Sequence, residues 1–190
     1  MKKLFKLLCL GLFLLNSNVG YADAKKAEDN SKYAIVGVVN LLHIQSEAKA
    51  YQDIRKKRDV YLEKYKEEIA KKEQEFRKTD QEIAQEDKAG TSEKLEKRKE
   101  DFVKQLMEFQ GKVQKRRENV GQAFINITTK VQMETLAPII EEVAKENGVN
   151  LVLNNAQIIF FAPFMDMTDE VLKRLNKKLP TVEFPDPDKM

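Results

Sequence analysis

Residues 41–90 read LLHIQSEAKAYQDIRKKRDVYLEKYKEEIAKKEQEFRKTDQEIAQEDKAG. The stretch is highly charged and lacks proline, and its core positions fall into two rows with a seven-residue repeat. One row is Ala48, Arg55, Leu62, Ile69, Phe76 and Ile83, and the other is Tyr51, Arg58, Tyr65, Lys72 and Thr79. This spacing is typical of a coiled coil in which several core positions are polar. A helix over these residues would be about 70 Å long, since each residue adds about 1.5 Å.

A second long segment repeats the pattern on the other side of Gly90. Its two rows are Leu106, Val113, Val120 and Ile127, and Leu95, Phe102, Phe109, Arg116 and Ala123. Gly90 is suited to end one helix, and Thr91 or Ser92 is suited to cap the next. The sequence therefore predicts a long antiparallel coiled-coil hairpin, here called the arm, over residues 41–135.

The segments on either side of the arm, residues 33–40 and 136–179, predict a small body that contains β-strands. Ala34–Val39 is an almost continuous apolar run, as expected of a strand buried on both faces, and Asn40 is suited to cap the helix that follows. Two further strands are expected at Val149–Leu153 and Gln157–Phe161, joined by a tight turn. The predicted fold class is α+β, mostly α, with the arm inserted into a β-rich body.

Three single positions refine this plan. Pro138 predicts a bend, because its ring frees the carbonyl of Glu134. Gly148 is expected to end the returning helix, and Thr168 to cap a last short helix that carries Asp169 and Glu170 in its first turn. Residues 180–190, which contain three prolines, are predicted to be a disordered tail.

The first residues predict export. Lys2, Lys3 and Lys6 precede or flank the apolar run Leu7–Leu15, and small residues follow, a pattern typical of a signal peptide over residues 1–22. Cleavage after Ala22 or after Ala24 fits the small-residue rule, and residues 23–32 are expected to be a disordered leader. Removal of residues 1–22 takes away three of the 34 basic residues, which leaves 31 against 31 acidic ones. The sole cysteine, Cys9, also leaves, so no disulfide is expected.

The predicted body has roughly 60 residues, which is marginal for an independent core, so several copies are expected to cover each other's apolar strands. The order of elements resembles the Skp/OmpH family of periplasmic chaperones over about residues 33–179. Four segments carry the resemblance: Ala34–Asn40, Lys88–Ser92, Val143–Leu153 and Asp166–Leu175.

This resemblance implies a jellyfish-shaped homotrimer in the periplasm, with a β-rich trimerisation body and three arms around a cavity. Its function would be ATP-independent holding of unfolded outer-membrane proteins, which prevents their aggregation. The neutral charge left after cleavage predicts at most weak contact with anionic lipid or lipopolysaccharide. A structural or adaptor coiled-coil protein of the cell envelope, bound to one folded partner, is the alternative.

Three sets of residues are candidate sites for these interactions. Apolar strand residues are candidates for the trimer interface: Val36, Val38, Leu151, Leu153, Ile158 and Phe160. Apolar residues outside the main rows are candidates for contact with clients: Tyr61, Val103 and Met107. Two basic clusters form a candidate positive belt that attracts acidic clients, with a solvated arm surface as the simpler interpretation: Arg55, Lys56, Lys57, Arg58, Lys115, Arg116 and Arg117.

Enzymatic function is not expected, because the arms carry no convergent acid, base or nucleophile. His43 is the only histidine, which argues against a histidine-based triad or metal site, and it is expected to be partly buried at a helix start. No phosphate-binding loop of the GxxxxGK type is present, so no nucleotide cofactor is expected. The basic clusters lack interleaved aromatics, which argues against nucleic acid as a partner.

Overall fold

The computed structural model of the protein describes residues 33–90 and 92–190. The chain divides into two units, Met1–Tyr33 and Ala34–Met190, and every described helix and strand belongs to the second. The predicted signal peptide, the leader and the candidate cap Thr91 lie outside the described residues.

The second unit is mostly helical and has one small sheet. Its main elements are β1 (Val36–Val39), α1 (Leu41–Glu47), α2 (Lys49–Ala89), α3 (Glu93–Val131), α4 (Ala137–Glu146), β2 (Leu151–Asn154) and α5 (Thr168–Lys178). Shorter turns are a π-helical one at Gln132–Leu136 and 3-10 turns at Asn155–Gln157, Pro163–Met165 and Pro187–Lys189. The expected α+β class, mostly α, is confirmed.

The arm is an antiparallel pair of α2 and α3 joined at Gly90. Gly90 has φ +132°, a conformation that favours glycine, and Ser92 Oγ accepts the Leu95 N–H at 3.2 Å as the cap of α3. All members of the two rows predicted for α3 are buried or half-buried, and along the outer part of α2 the seam follows the expected spacing through Tyr65, Phe76 and Ile83. Leu62 departs from its row and is exposed.

The predicted single helix from Leu41 to Ala89 is instead two helices, because Ala48 has an extended conformation with ψ 132°. Side chains from elsewhere satisfy the backbone at this break. Arg55 donates to the carbonyls of Gln45 and Ser46 at 2.8 and 2.7 Å, and Asn176 Oδ1 accepts the Lys49 N–H at 2.8 Å. These groups serve as caps supplied from a distance.

The irregularity expected near Pro138 is found one turn earlier. Gln132–Leu136 forms a π-helical turn, in which the Ala137 N–H donates to the Gln132 carbonyl. Proline cannot donate the bond that a regular helix would need, so the preceding turn is where the chain rearranges. Gly148 has φ +66° and follows the end of α4, as predicted.

The sheet differs from the prediction. β1 and β2 are parallel, with Val36 opposite Leu151 and Val38 opposite Leu153, and the other edge of β1 is bridged by Asp166. Both strands are shorter than expected, and the strand predicted at Gln157–Phe161 is absent from the described residues, which form a 3-10 turn and irregular chain there. An apolar run alone does not distinguish a strand from an exposed loop.

The start of α5 also differs from the prediction. Thr168 does not act as the cap, because its own N–H donates to Asp166 Oδ1 at 2.9 Å. The buried Thr168 Oγ1 instead accepts the Asn40 N–H at 2.8 Å, which ties α5 to the end of β1. Asn40 Oδ1 accepts the His43 N–H at 2.9 Å, so the predicted cap of α1 is confirmed.

The main core lies where the arm meets the body. Its fully buried side chains come from α1, α2, the π-helical turn, α4 and α5: Ile44, Ile54, Leu136, Ile139, Val143, Val171 and Leu175. The body is therefore stabilised by the base of the arm, and the core is larger than the body segments alone would provide.

The tail over residues 180–190 is not disordered, contrary to the prediction. Val182 and Phe184 are only 8% and 9% exposed, and Pro187 is fully buried. The tail packs against the arm through hydrogen bonds. Asp53 accepts the Val182 N–H, Lys57 donates to the Val182 carbonyl, and Asn119 donates to the Pro187 carbonyl. Three prolines in the tail limit its conformations, so less entropy is lost when it docks.

Candidate binding surfaces

The six residues predicted for the trimer interface divide into exposed and buried ones. Phe160 is 83% exposed and Leu151 is 43% exposed, while Val36, Leu153 and Ile158 are half-buried. Val38 is fully buried inside the protomer, and both edges of its strand are paired, one with β2 and the other with Asp166. Val38 is therefore a core residue and its side chain has no free face.

The body also exposes large apolar side chains that the sequence analysis did not single out. Leu42, Ile159 and Phe164 are 68%, 106% and 89% exposed. Ile159 belongs to the segment Gln157–Phe161, which was predicted to be a strand and is mostly irregular chain in the structure. Large exposed apolar groups on a small protein are typical of an interaction surface. The name body patch is used below for Leu42, Leu151, Ile159, Phe160 and Phe164.

The candidate client-contact residues on the arm have two different environments. Val103 and Met107 lie one turn apart on α3 and are 48% and 66% exposed, beside the aliphatic parts of Lys99 and Lys104. Tyr61 is half-buried, and its ring centroid is 5.8 Å from that of Phe184 in the tail. Tyr61 is thus occupied by the chain itself.

Most members of the candidate basic belt have contacts within the chain. Arg55 caps α1, Lys57 forms an ion pair with Asp53 at 2.8 Å, and Arg58 lies 4.8 Å above the ring of Phe124. Arg116 pairs with Glu68 at 2.6 Å and stacks on Tyr65 at 4.5 Å. Lys56, Lys115 and Arg117 are exposed. A continuous positive belt is therefore not formed, which favours the simpler interpretation of a solvated arm surface.

Aromatic packing and ion pairs set the register of the arm. Phe76 packs edge-on against Phe102 and Phe109, with ring centroids 5.9 and 5.4 Å apart. Near the turn, Arg98 pairs with Glu82 at 2.6 Å and also with Glu86. The hydrogen bonds that Arg98 donates to Glu86 and Glu82 raise its pKa. Exposed pairs of this kind contribute little stability each, but they link the two helices at one alignment.

The described residues contain no group of three or more acidic, histidine or cysteine side chains that could hold a metal ion. His43 is exposed, in contrast to the expectation that it would be partly buried. No helix among the described residues is both long and apolar enough to cross a membrane.

Residues 35–175 match the family described as outer membrane protein (OmpH-like). The matched range covers most of the chain and includes both strands, the whole arm and the start of α5. The chain belongs to the OmpH-like family. No relative was found among the curated proteins.

A solved structure from Caulobacter crescentus CB15, a candidate outer membrane chaperone (OmpH-like), is similar to this OmpH-like chain with a TM-score of 0.74. The two sequences are 16% identical, and the match covers 80% of this chain and 89% of the other. At this identity the similarity shows the fold. The tail of this OmpH-like chain lies beyond the family match, which ends at Leu175.

Proposed function

We propose that this OmpH-like chain is an ATP-independent holding chaperone of the periplasm, which binds unfolded outer-membrane proteins and prevents their aggregation. The observation that carries the proposal is the arm itself, a hairpin of two helices of 41 and 39 residues whose outer part exposes Val103 and Met107. Family membership and the signal-peptide pattern at residues 1–22 support the compartment.

Three copies are proposed to assemble through the body patch together with Val36, Leu153 and Ile158. A single copy leaves Ile159, Phe160 and Phe164 almost fully exposed, and association would remove these side chains from water. The three arms would then enclose a common cavity.

Clients would be held by many weak contacts, each too weak to hold an unfolded chain alone. The apolar pair Val103 and Met107 offers a small contact surface on each arm, and methionine adapts to partners of different shape. Three arms tethered to one body raise the effective concentration of these contacts, so overall affinity exceeds that of any single one.

The test is light scattering of a urea-unfolded outer-membrane barrel protein diluted into buffer with the mature chain. Suppressed scattering is expected for several unrelated barrels at equal concentrations of trimer and client. A Val103→Ser/Met107→Ser variant should protect less, whereas a Val60→Ser variant, which changes another exposed apolar residue on the arm, should protect normally. Binding of one native partner without any protection of unfolded barrels would favour the adaptor alternative and overturn the proposal.

A further inference from the structure

We infer that the groove along the base of the arm, now filled by the tail, is a binding site for extended polypeptide, and that the tail is its resident, exchangeable occupant. The groove is formed on α2 by Asp53, Lys57, Tyr61 and Lys64 and on α3 by Arg116 and Asn119. The inference rests on the proposed function, because it assigns unfolded client segments as the competing ligand.

The groove accommodates two apolar side chains from alternate positions of an extended segment. Val182 and Phe184 are buried, while Glu183 between them is exposed. The ring of Phe184 meets that of Tyr61 at 5.8 Å, and Tyr61 in turn lies 6.2 Å from Tyr65. Alternation of this kind is what a strand-like segment presents on one face.

The groove also binds the backbone of its occupant. Asp53 Oδ2 accepts the Val182 N–H at 2.9 Å, and Lys57 Nζ donates to the Val182 carbonyl. Further along, Asn119 Nδ2 donates to the Pro187 carbonyl at 2.8 Å and to the backbone oxygen of Met190 at 3.1 Å. Bonds to backbone groups do not depend on the side chains of the bound segment, so other sequences can form them equally well.

The groove-lining groups on α2 are spaced for this task. Asp53, Lys57 and Tyr61 follow each other at intervals of four residues, which places them on one face of a helix. Lys64 extends the same face and pairs with Asp188 at 3.3 Å, while Arg116 of α3 reaches Asp188 at 3.2 Å. Lys64 and Arg116 therefore favour a bound segment with an acidic residue near one end, namely the end further from the body.

Strands of outer-membrane barrels match these requirements, since their lipid-facing residues are apolar at every second position. When unfolded, such a strand offers both alternating apolar side chains and unpaired backbone groups. The tail competes from an effective concentration in the millimolar range, because it is tethered beside the groove. The site therefore favours clients that also contact the arms and excludes isolated peptides.

The experiment uses the full mature chain with Val182→Ser/Phe184→Ser, which releases the tail but keeps its length. The probe is a fluorescein-labelled peptide of residues 180–190 with the native sequence, and its binding is followed by anisotropy. The released variant should bind the probe at least tenfold more tightly than the unchanged chain, as expected when a tethered competitor is removed. A Glu183→Ser variant is the matched control and should behave as the unchanged chain, because this side chain is exposed.

Two further measurements decide the inference. Adding Lys57→Ala/Asn119→Ala to the released variant should weaken probe binding, and an unfolded barrel protein should displace the probe. Absence of probe binding to a released variant with native circular dichroism would overturn the site, and a bound probe that unfolded barrels do not displace would overturn its assignment to clients. If the Val182→Ser/Phe184→Ser variant misfolds, the single substitution Phe184→Ala also releases the tail, and its probe binding is compared with that of the unchanged chain.

The outcome is separable from that of the proposed function. Suppressed scattering without probe displacement leaves the holding function standing and refutes the inference. Probe displacement without suppressed scattering supports the polypeptide site and refutes holding.

Discussion

Gly37 lies where β1 passes directly beneath the side chain of Met167. A Cβ atom at this position would be 2.7 Å from Met167 Cε and 3.1 Å from Val149 Cγ1, both closer than ordinary contacts. Gly37→Val should therefore lower the free energy of unfolding by about 1–3 kcal/mol through overpacking. Urea titration followed by circular dichroism measures this change.

Gly111 provides a control of opposite sign for the same titration. It lies inside α3, and a Cβ there would meet nothing within 4 Å. Gly111→Ala should raise the free energy of unfolding by about 0.5–1 kcal/mol, because alanine has the higher helix propensity. Equal effects from Gly37→Val and Gly111→Ala would contradict the proposed role of close packing at Gly37.

Two carboxylates make docking of the tail dependent on pH. The hydrogen bond from Lys57 and the Val182 N–H lower the pKa of Asp53. Burial opposes a low pKa at Asp188, but Tyr65, Lys64 and Arg116 outweigh it and lower the pKa. Depressed pKa values stabilise docking above the unfolded pKa of about 4, and this stabilisation is lost as the pH falls through the folded values.

Tail docking should therefore be complete at pH 6 and weaken progressively as the pH falls below the unfolded pKa of about 4. Hydrogen-exchange protection of the Val182 amide, corrected for intrinsic rates, is the measurement. Protection of Val182 should fall before that of the α5 interior, and Asp53→Asn should reduce this difference. Unchanged Val182 protection at pH 3 would contradict the role of the two carboxylates.

At the level of single residues, local signals were predictable and distant partners were not. Asn40, Gly90 and Gly148 act through their own backbone and neighbours, so their roles follow from residue type and position. Threonine is a residue type that often caps helices, yet the hydroxyl of Thr168 accepts the backbone N–H of Asn40, 128 residues away in the sequence. The sequence around Thr168 therefore gives no indication of this hydrogen bond.

At the level of elements, the arm was predictable because its core repeats along the chain. The seven-residue rows of α3 coincide with its buried face throughout. The break at Ala48 was not predictable, since the Lys49 N–H that it frees is bonded by Asn176, a residue far away in the sequence. The docked tail likewise depends on Asp53 and Asn119, which no pattern within residues 180–190 reveals.

The arm should be separable from the body. Removing Glu73–Met107 and joining Lys72 to Glu108 through a short Gly-Ser turn leaves the main core and the tail contacts intact, because all of them lie below the cut. The shortened chain should keep its oligomeric state and lose most of its protection of unfolded barrels, since shorter arms offer fewer contacts. Light scattering and sedimentation provide the two readouts.

The full-length chain at equal trimer concentration is the control for this excision. Equal protection by both proteins would contradict the proposal that the arms hold the client. Loss of assembly would show instead that the outer arms help to build the oligomer.

At the level of the whole molecule, the proposed trimer can be tested at Phe160. Its side chain is 83% exposed in one copy, so Phe160→Asp should leave the protomer folded. Burying an unpaired carboxylate between copies costs several kcal/mol, and the variant should dissociate to monomers. Val60→Asp, a substitution of an exposed apolar residue on the arm, should remain trimeric. Sedimentation velocity distinguishes the two, and a trimeric Phe160→Asp variant would mean that the interface lies elsewhere.

The break at Ala48 places the start of a long lever inside the core. The 41 residues of α2 extend about 60 Å, so a rotation of about 10° at its first turn moves the far end by about 10 Å. The first turn of α2 near Lys49 is held by one hydrogen bond to Asn176 and by two hydrogen bonds that Arg55 donates. A small rotation there therefore causes a large displacement of the far end of the arm. In the proposed trimer, the mechanical stiffness of a few bonds at the base would therefore set how wide a client the far ends can span.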